Sequence, residues 1–181
     1  MKPMQKLIML LLLTAMAGFP KLNIGQPLPF YEPWDTGTFS FQDWTFIPTQ
    51  GNWTMNTSQG NPAPAVFFTG TSAVQDYQFT MQSSAQHGEP WICANIYLEF
   101  DYKLTDVASG GTEKLIAEFF VDNAWYHAIE VKNEGSTGWV HQKIDISEVG
   151  GKWFRIGFLA TGLNSANITS WAVDNIRVTP V

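Results

Sequence analysis

Cysteine is nearly absent from this chain: Cys93 is the single cysteine among 181 residues. No internal disulfide bond can therefore form, and the fold must be held together by its apolar core or by a bound metal ion. A nucleophilic role for Cys93 would need a neighbouring base, and no recognisable pattern around it supplies one. The sequence favours an ordinary strand position for Cys93.

Charged residues are also few. They make up 14% of the chain, with 10 Lys and Arg against 16 Asp and Glu, and the formal net charge is −6. Nucleic acids and anionic membranes are bound by clustered Lys and Arg, so this composition argues against both partners and favours a cation. Aromatic residues make up another 14%, including eight Trp, which is far from a disordered composition.

Intact catalytic motifs are missing as well. The three histidines show no metal-ligand spacing, and no nucleophile elbow or phosphate-binding loop is present. The segment KIDISE (143–148) resembles the E-x-D-x-x-E strand of some jelly-roll glycoside hydrolases, but Lys143 stands where the first carboxylate should be. Retaining hydrolysis needs two carboxyl groups about 5 Å apart. We therefore predict that the protein is not an enzyme, with a glycoside hydrolase as the least favoured alternative.

The N-terminus has the layout of a secretory signal peptide. Lys2 and Lys6 precede the apolar run 7–13, and Ala15-Met16-Ala17 offers an A-x-A cleavage site. The apolar run is too short to span a bilayer, which needs about 20 residues. We expect export without membrane insertion, so that the mature chain is secreted or held at the cell surface.

Strand patterns dominate the remaining sequence. Every even position from Ile92 to Leu104 is apolar or aromatic, which predicts a long, half-buried strand. The segment KLIAEFFV (114–121) is apolar on both faces, and Asp122-Asn123 then predicts a hairpin turn. Similar short segments follow without helical periodicity between them. The sequence therefore predicts an all-β fold, an antiparallel two-sheet sandwich or jelly roll.

Asp174 interrupts the pattern of the final predicted strand, SWAVDNIRV (170–178). Ile176 and Val178 share one face of that strand, and a period of two places Asp174 on the same apolar face. A buried carboxylate costs several kcal/mol unless it is compensated. Two kinds of compensation remain open: a bound cation, or protein groups alone, through an ion pair with Arg155 or Lys152 or through backbone N–H groups at a sheet edge.

The segment 138–178 resembles the C-terminal half of bacterial adhesin-type jelly rolls. These are the cleaved-adhesin domains of the gingipain proteases, the choice-of-anchor J domains and, more distantly, MAM domains. The shared pattern is a Trp, a strand ending in I-D-I-S, a Gly-Gly turn, an aromatic-rich strand and W-x-V-D-N-I-x-V. FYEPWDTGTF (30–39) resembles the opening motif of the same families. With the signal peptide at 1–17, the resemblance implies one jelly-roll domain at 29–181, joined by a linker at 18–28.

In these families a calcium ion ties the first strand to the last, through a Glu of the opening motif and the Asp of the closing motif. The matching positions here are Glu32 and Asp174, with Asp35 as a further ligand. Calcium takes six to eight oxygen ligands, and such a site closes a very long loop in place of a disulfide bond. The resemblance therefore implies a structural Ca²⁺ held by these three carboxylates.

The resemblance also implies a binding module of a secreted or cell-surface protein, recognising an extracellular glycan or protein ligand. Rigid sheets commonly present aromatic faces for such recognition. Trp53, Trp125 and Tyr126 lie in or beside predicted loops and turns, so we predict that they bind the ligand. A structural domain of a larger surface protein is the alternative. The tryptophans inside the strand motifs are assigned to the fold: Trp139, Trp153 and Trp171.

Overall fold

The computed structural model describes residues 26–70, 74–87 and 95–181. The predicted signal peptide, most of the predicted linker and Cys93 lie outside these residues. No helix in the described ranges is long and apolar enough to cross a membrane. The strands, in chain order, are β1 (Gln26–Pro27), β2 (Phe30–Glu32), β3 (Thr45–Ile47), β4 (Trp53–Asn56), β5 (Ala65–Thr69), β6 (Gln75–Gln82), β7 (Gln86–His87), β8 (Ile96–Asp106), β9 (Lys114–Val121), β10 (Ala124–Lys132), β11 (Val140–Asp145), β12 (Trp153–Asn164) and β13 (Ile168–Pro180).

The strands form two sheets that pack face to face. The seven-stranded sheet contains β10, β9, β12, β6 and β3 side by side, with β7 beside β12 and β1 beside β7. The six-stranded sheet runs β11, β8, β13, β5 and β4, with β2 paired to β13. All pairs are antiparallel except β1 with β7. The predicted all-β, two-sheet sandwich is confirmed.

Period-two patterning explains how the two sheets share one core. In β8 the predicted apolar positions of the described range are all buried: Ile96, Leu98, Phe100, Tyr102 and Leu104. In β12 the opposing positions are at most 1% exposed: Phe154, Ile156, Phe158 and Ala160. The Phe100 and Phe158 rings meet edge to face across the two sheets, with centroids 5.0 Å apart. Fully burying one such large apolar side chain is worth roughly 1.5–3 kcal/mol.

The hairpin between β9 and β10 forms where the sequence predicts it. Asp122 and Asn123 both have left-handed backbone angles, with φ of 51° and 63°. Two consecutive left-handed residues match the twist of the flanking strands, and Asp and Asn tolerate this conformation better than most residues. The turn sets the register that places Trp125 of β10 opposite Phe120 of β9.

A β-bulge in β13 changes which face Asp174 occupies. Asn175 is left-handed, with φ of 51°, and the register of β13 against β8 shifts just after Asp174. Before the bulge Val173 faces the core, and after it Ile176 does so. Asp174 therefore lies on the outer face of the six-stranded sheet together with Ala172. The prediction that it shares the apolar face of Ile176 is wrong, because a bulge inserts one residue into the alternation.

Candidate functional site: a groove on the seven-stranded sheet

The outer face of the seven-stranded sheet carries two depressions among the outward side chains of β10, β9, β12 and β6. One has a volume of about 450 Å³ and includes Phe120, Trp153 and Arg155. The other has a volume of about 550 Å³ and includes Ile116 and His127. We call these two depressions, together with the strip of β9 and β12 between them, the β9 groove. Several side chains of its floor are buried although they point away from the core: Ile116 and Glu118 at 4% exposed, Gln82 at 8% and Thr80 at 9%.

Trp125 lies along the floor of the β9 groove. Its strand is separated from β12 by β9, so Gly157 of β12 is two strand spacings away, about 10 Å. A Cβ atom added to Gly157 would nevertheless lie 3.0 Å from Cζ3 and 3.1 Å from Cη2 of the Trp125 ring. The side chain can reach that far only by extending across the sheet. One edge of the ring thus rests on Gly157, and the neighbouring Phe120 ring is 5.3 Å away.

Glu118 lies beside this ring with few partners. It is 4% exposed and is paired in register with His127 on one side and Gly157 on the other. Its Oε1 accepts a long hydrogen bond of 3.5 Å from the Thr80 hydroxyl. Burial raises the pKa of Glu118 to about 7, and the Thr80 hydroxyl opposes that rise. The groove therefore contains a carboxyl group with capacity for further hydrogen bonds.

Four of the charged side chains at the two ends of the groove form pairs of opposite sign. Lys114 and Glu130 meet across β9 and β10 with Nζ and Oε1 3.0 Å apart. Lys152 and Asp122 meet near the hairpin, with Nζ and Oδ2 2.8 Å apart. Arg155 and Asp76 lie outside these pairs, one at each end, and their charges are of opposite sign. A face whose charges balance suits an uncharged polar ligand better than a strongly charged one.

Of the three aromatic residues predicted to bind a ligand, the structure places Trp125 in the β9 groove. The prediction that Trp53 lies on the surface is wrong. Its side chain is 0% exposed, and its indole N–H donates to the Phe79 carbonyl at 3.0 Å. Trp53 begins β4 and points inward, where it fills the core against Phe68. Tyr126 is 44% exposed, but it follows Trp125 directly in β10 and so points to the opposite face.

Sequence reasoning missed three features of this groove. Glu118 was hidden in a segment otherwise apolar on both faces, where one acid was the available signal. Gly157 carries no signal by itself, since its role depends on a ring two strands away. Trp153 was assigned to the fold, yet it is 49% exposed and lines one end of the groove.

The residues predicted to bind calcium lie at the edge of the six-stranded sheet. Glu32 of β2 is directly opposite Ile176 of β13 and is 0% exposed. Its Oε1 accepts the Trp34 backbone N–H at 2.8 Å, and its Oε2 accepts the Trp44 indole N–H at 3.1 Å. Burial raises the pKa of Glu32, and repulsion from Asp35 adds to that rise.

Asp174 belongs to a network on the outer face of that sheet. Its Oδ2 accepts the backbone N–H of Asn61 at 2.6 Å, and its Oδ1 accepts that of Asn175 at 2.7 Å. The side-chain amides of the same two residues donate to Oδ2 of Asp101 at 3.1 Å and 2.8 Å. Burial raises the pKa of Asp174 to about 6, with smaller contributions from the charges of Asp101 and Asp35. Backbone N–H groups thus compensate part of the cost of burying the Asp174 carboxylate, as one of the alternatives from the sequence predicts.

The fit of these residues to calcium is incomplete. The charge of Asp35 raises the pKa of both Glu32 and Asp174, although for each group this effect is smaller than that of burial. All four carboxylate oxygens of Glu32 and Asp174 already accept N–H donors, although each keeps a second lone pair. Within the ranges that the structure describes, no group of three or more His, Cys, Asp or Glu side chains is arranged to hold a metal ion. A calcium ion at this edge stays a prediction.

The comparisons with known proteins place the fold among adhesin domains and carbohydrate-binding modules. No family model matches the sequence, and no curated protein matches it. The K1 cleaved-adhesin domain of Lys-gingipain from Porphyromonas gingivalis W83 superposes with a TM-score of 0.62 at 14% identity, covering 83% of this chain and 97% of that one. The predicted resemblance to cleaved-adhesin jelly rolls is therefore confirmed as a similarity of structure.

Carbohydrate-binding modules of the same architecture also match. TmCBM61, solved in complex with β-1,4-galactotriose, has a TM-score of 0.57 at 15% identity, covering 82% of this chain and 94% of that one. The C-terminal family 22 module of Clostridium thermocellum Xyn10B has a TM-score of 0.54 at 10% identity, covering 83% and 92%. At these identities the likeness establishes the fold alone.

Proposed function

We propose that this protein is a non-enzymatic carbohydrate-binding module, and that its β9 groove holds a glycan chain. The observation that carries the proposal is the position of Trp125, whose ring lies across Gly157 on the groove floor beside the buried carboxyl of Glu118. Sugar rings have an apolar face of C–H groups and an edge of hydroxyls. A flat indole ring next to a hydrogen-bonding group matches both.

The polar side chains of the floor match the hydroxyl edge. Glu118 has hydrogen-bonding capacity that the long contact with Thr80 does not fill. Gln82 uses its amide N–H to bind the Thr45 hydroxyl at 3.0 Å, which fixes the orientation of its side chain. Ordered polar groups on a rigid sheet lose little conformational freedom on binding, and this favours affinity.

The length of the groove favours an oligosaccharide over a single sugar. Its two depressions are lined along β12 by Arg155 at one end and Thr161 at the other. Six residues of extended strand span about 20 Å. Trp125 and Glu118 lie between these ends, so a bound chain would pass over them with sugar units on both sides.

The comparisons and the sequence support an extracellular setting for this binding. One similar structure is a gingipain adhesin domain, and TmCBM61 was solved with β-1,4-galactotriose. The signal-peptide pattern at residues 1–17 supports export. A protein ligand is the second candidate, since the same architecture is found in adhesin domains.

A structural calcium ion at the sheet edge remains part of the proposal. Support comes from the raised pKa of Glu32 and Asp174 and from the repulsion that Asp35 exerts on both. A bound cation would offset that repulsion, with Glu32, Asp35 and Asp174 as its carboxylate ligands. The ion would stabilise the pairing of the first and last strands and would take no part in holding the glycan.

Isothermal titration calorimetry with four oligosaccharides tests the proposal: β-1,4-galactotriose, xylohexaose, cellohexaose and mannohexaose. We expect at least one to bind, and Trp125→Ala to weaken that binding at least tenfold through loss of the stacking surface. Trp139→Ala is the matched control, because Trp139 packs on the opposite sheet against Phe67 and Ala172. No binding to any of the four, or equal loss in both variants, contradicts the proposal. Release of reducing ends during incubation would favour the hydrolase alternative.

A further inference from the structure

Glu118 lacks the partners that a buried carboxylate usually has. Buried acids in folded proteins are normally paired with a cation or accept several good hydrogen bonds. In the part of the chain that the structure describes, Glu118 makes no ion pair, and its contact with Thr80 is at the long limit of 3.5 Å. A Cβ atom added to Gly157 would lie about 3 Å from both the Trp125 ring and the Cγ atom of Glu118.

The strands around Glu118 supply little charge to compensate it. On β10, His127 is directly opposite Glu118 in register, is exposed, and makes no ion pair with it among the described residues. On β6, the positions facing the groove nearest Glu118 are the uncharged Gln78, Thr80 and Gln82, and Asp76 lies at the far end. The other charged groups on this face lie nearer the ends of the groove and are exposed or paired with each other: Arg155, Lys114, Glu130, Lys152 and Asp122.

A glycan stacked on Trp125 would cover the small part of Glu118 that still touches water. Removing the last solvent from a carboxyl group disfavours its charged form. The pKa of Glu118 is already about 7 in the free protein, because of burial. Further desolvation would move it higher, so the group would be neutral in the complex across the physiological range.

We propose that the β9 groove takes up protons from the buffer when it binds a glycan, with a carboxylate oxygen of Glu118 as the acceptor, so that affinity is higher at acidic than at alkaline pH. This inference rests on the proposed function. The neutral carboxyl donates one hydrogen bond to a sugar hydroxyl and accepts another, whereas the carboxylate only accepts. Glu118 therefore sets both the hydrogen-bonding pattern and the pH dependence of the groove.

The sign of the effect follows from linkage. A pKa that is higher in the complex than in the free protein means that binding takes up protons between the two values. Affinity is then greatest below the free pKa and falls as the pH rises, by tenfold for each unit between the two pKa values. For a rise of about one unit we expect about tenfold weaker binding at pH 8.5 than at pH 5.5.

Calorimetric titrations at pH 5.5, 7.0 and 8.5 with the same four oligosaccharides test this inference. At pH 7.0, titrations in two buffers that differ in their heat of ionisation give the number of protons taken up. For a rise of about one pKa unit we expect about 0.4 proton per glycan bound. Glu118→Gln should bind with little pH dependence and no proton uptake. His127→Gln is the control: it removes the neighbouring titratable group and should keep the wild-type pH dependence.

The outcomes separate the inference from the function on which it rests. Glycan binding that is independent of pH, or that strengthens at pH 8.5, overturns the role of Glu118 and leaves the glycan groove standing. Loss of the pH dependence in His127→Gln with its persistence in Glu118→Gln assigns the proton to histidine and also overturns the inference. No binding of any oligosaccharide at any pH counts against the groove itself, and the inference falls with it.

Discussion

The substitution Glu118→Gln should raise the stability of the folded protein at alkaline pH and leave it nearly unchanged at acidic pH. Burial raises the pKa of Glu118 from 4.5 to about 7, a difference of about 2.5 units. At 1.36 kcal/mol per unit, this corresponds to about 3 kcal/mol. Because the folded state holds the proton more tightly, stability is highest below pH 4.5 and falls as the pH rises to 7. Above pH 7 the full cost of burying the carboxylate is present.

Glutamine keeps the shape of the side chain and cannot ionise. We therefore expect the free energy of unfolding of Glu118→Gln to exceed that of the wild type by about 3 kcal/mol more at pH 8 than at pH 4.5. Urea unfolding followed by tryptophan fluorescence, at half-unit steps from pH 4.5 to 8.5, measures this difference. Asp174→Asn is the comparison variant. Because the pKa of Asp174 is about 6, its contribution to the pH dependence of stability ends about one pH unit below that of Glu118.

Parallel stability profiles of the wild type and Glu118→Gln between pH 5 and 8 would refute the reasoning. Such a result would mean that Glu118 ionises without cost in the folded protein, so that water or an unrecognised partner reaches its carboxylate. For Asp174→Asn we expect a constant offset from the wild type above pH 7, and a difference in slope there would show that the two groups are coupled. Their effects could then no longer be assigned separately.

Three further predictions concern other parts of the molecule. Gly157→Ala should weaken oligosaccharide binding at least fivefold in calorimetry, because the added methyl displaces the Trp125 ring. The same crowding should lower the free energy of unfolding in urea by about 1–3 kcal/mol. Unchanged affinity would contradict the role of the Trp125 ring in binding. Trp53→Ala should lower the free energy of unfolding by about 3–5 kcal/mol, since Trp53 is completely buried; a loss below 1 kcal/mol would contradict its core role. Excess EDTA should lower the melting temperature of the wild type and have little effect on Asp174→Asn; equal melting curves with and without EDTA argue against calcium.

The two-sheet architecture was accessible from the sequence because it depends on local patterns. The apolar period of two in β8 needs no knowledge of distant residues, and the Asp122-Asn123 turn is a local conformational preference. A strand with one apolar face must bury it against another layer, so many such strands without helices leave a sandwich as the main solution. The same logic correctly assigned Trp171 to the core, where it is 0% exposed.

The site was less accessible, because its features depend on neighbours far away in the sequence. Trp53 follows a loop rich in Gly and Asn, which favours exposure, but the strand that begins there points its side chain inward. Glu118 sits in an apolar run, and only the position of the Trp125 ring over Gly157 shows that this acid lies in a groove. The face of Asp174 changes with one left-handed residue, Asn175, which a strict alternation does not anticipate.

The Asn61 loop gives the two outer faces of the sandwich different accessibility. Asn61 bridges to Asp174 and Asp101, and the Asn175 side chain returns a hydrogen bond to the Asn61 carbonyl at 2.5 Å. The chain therefore covers part of its own six-stranded sheet, whereas the described residues leave the β9 groove open on the opposite sheet. For experiments at a surface this asymmetry is useful: a fluorophore or a solid-support anchor attached on the covered side would leave the open face turned towards solution.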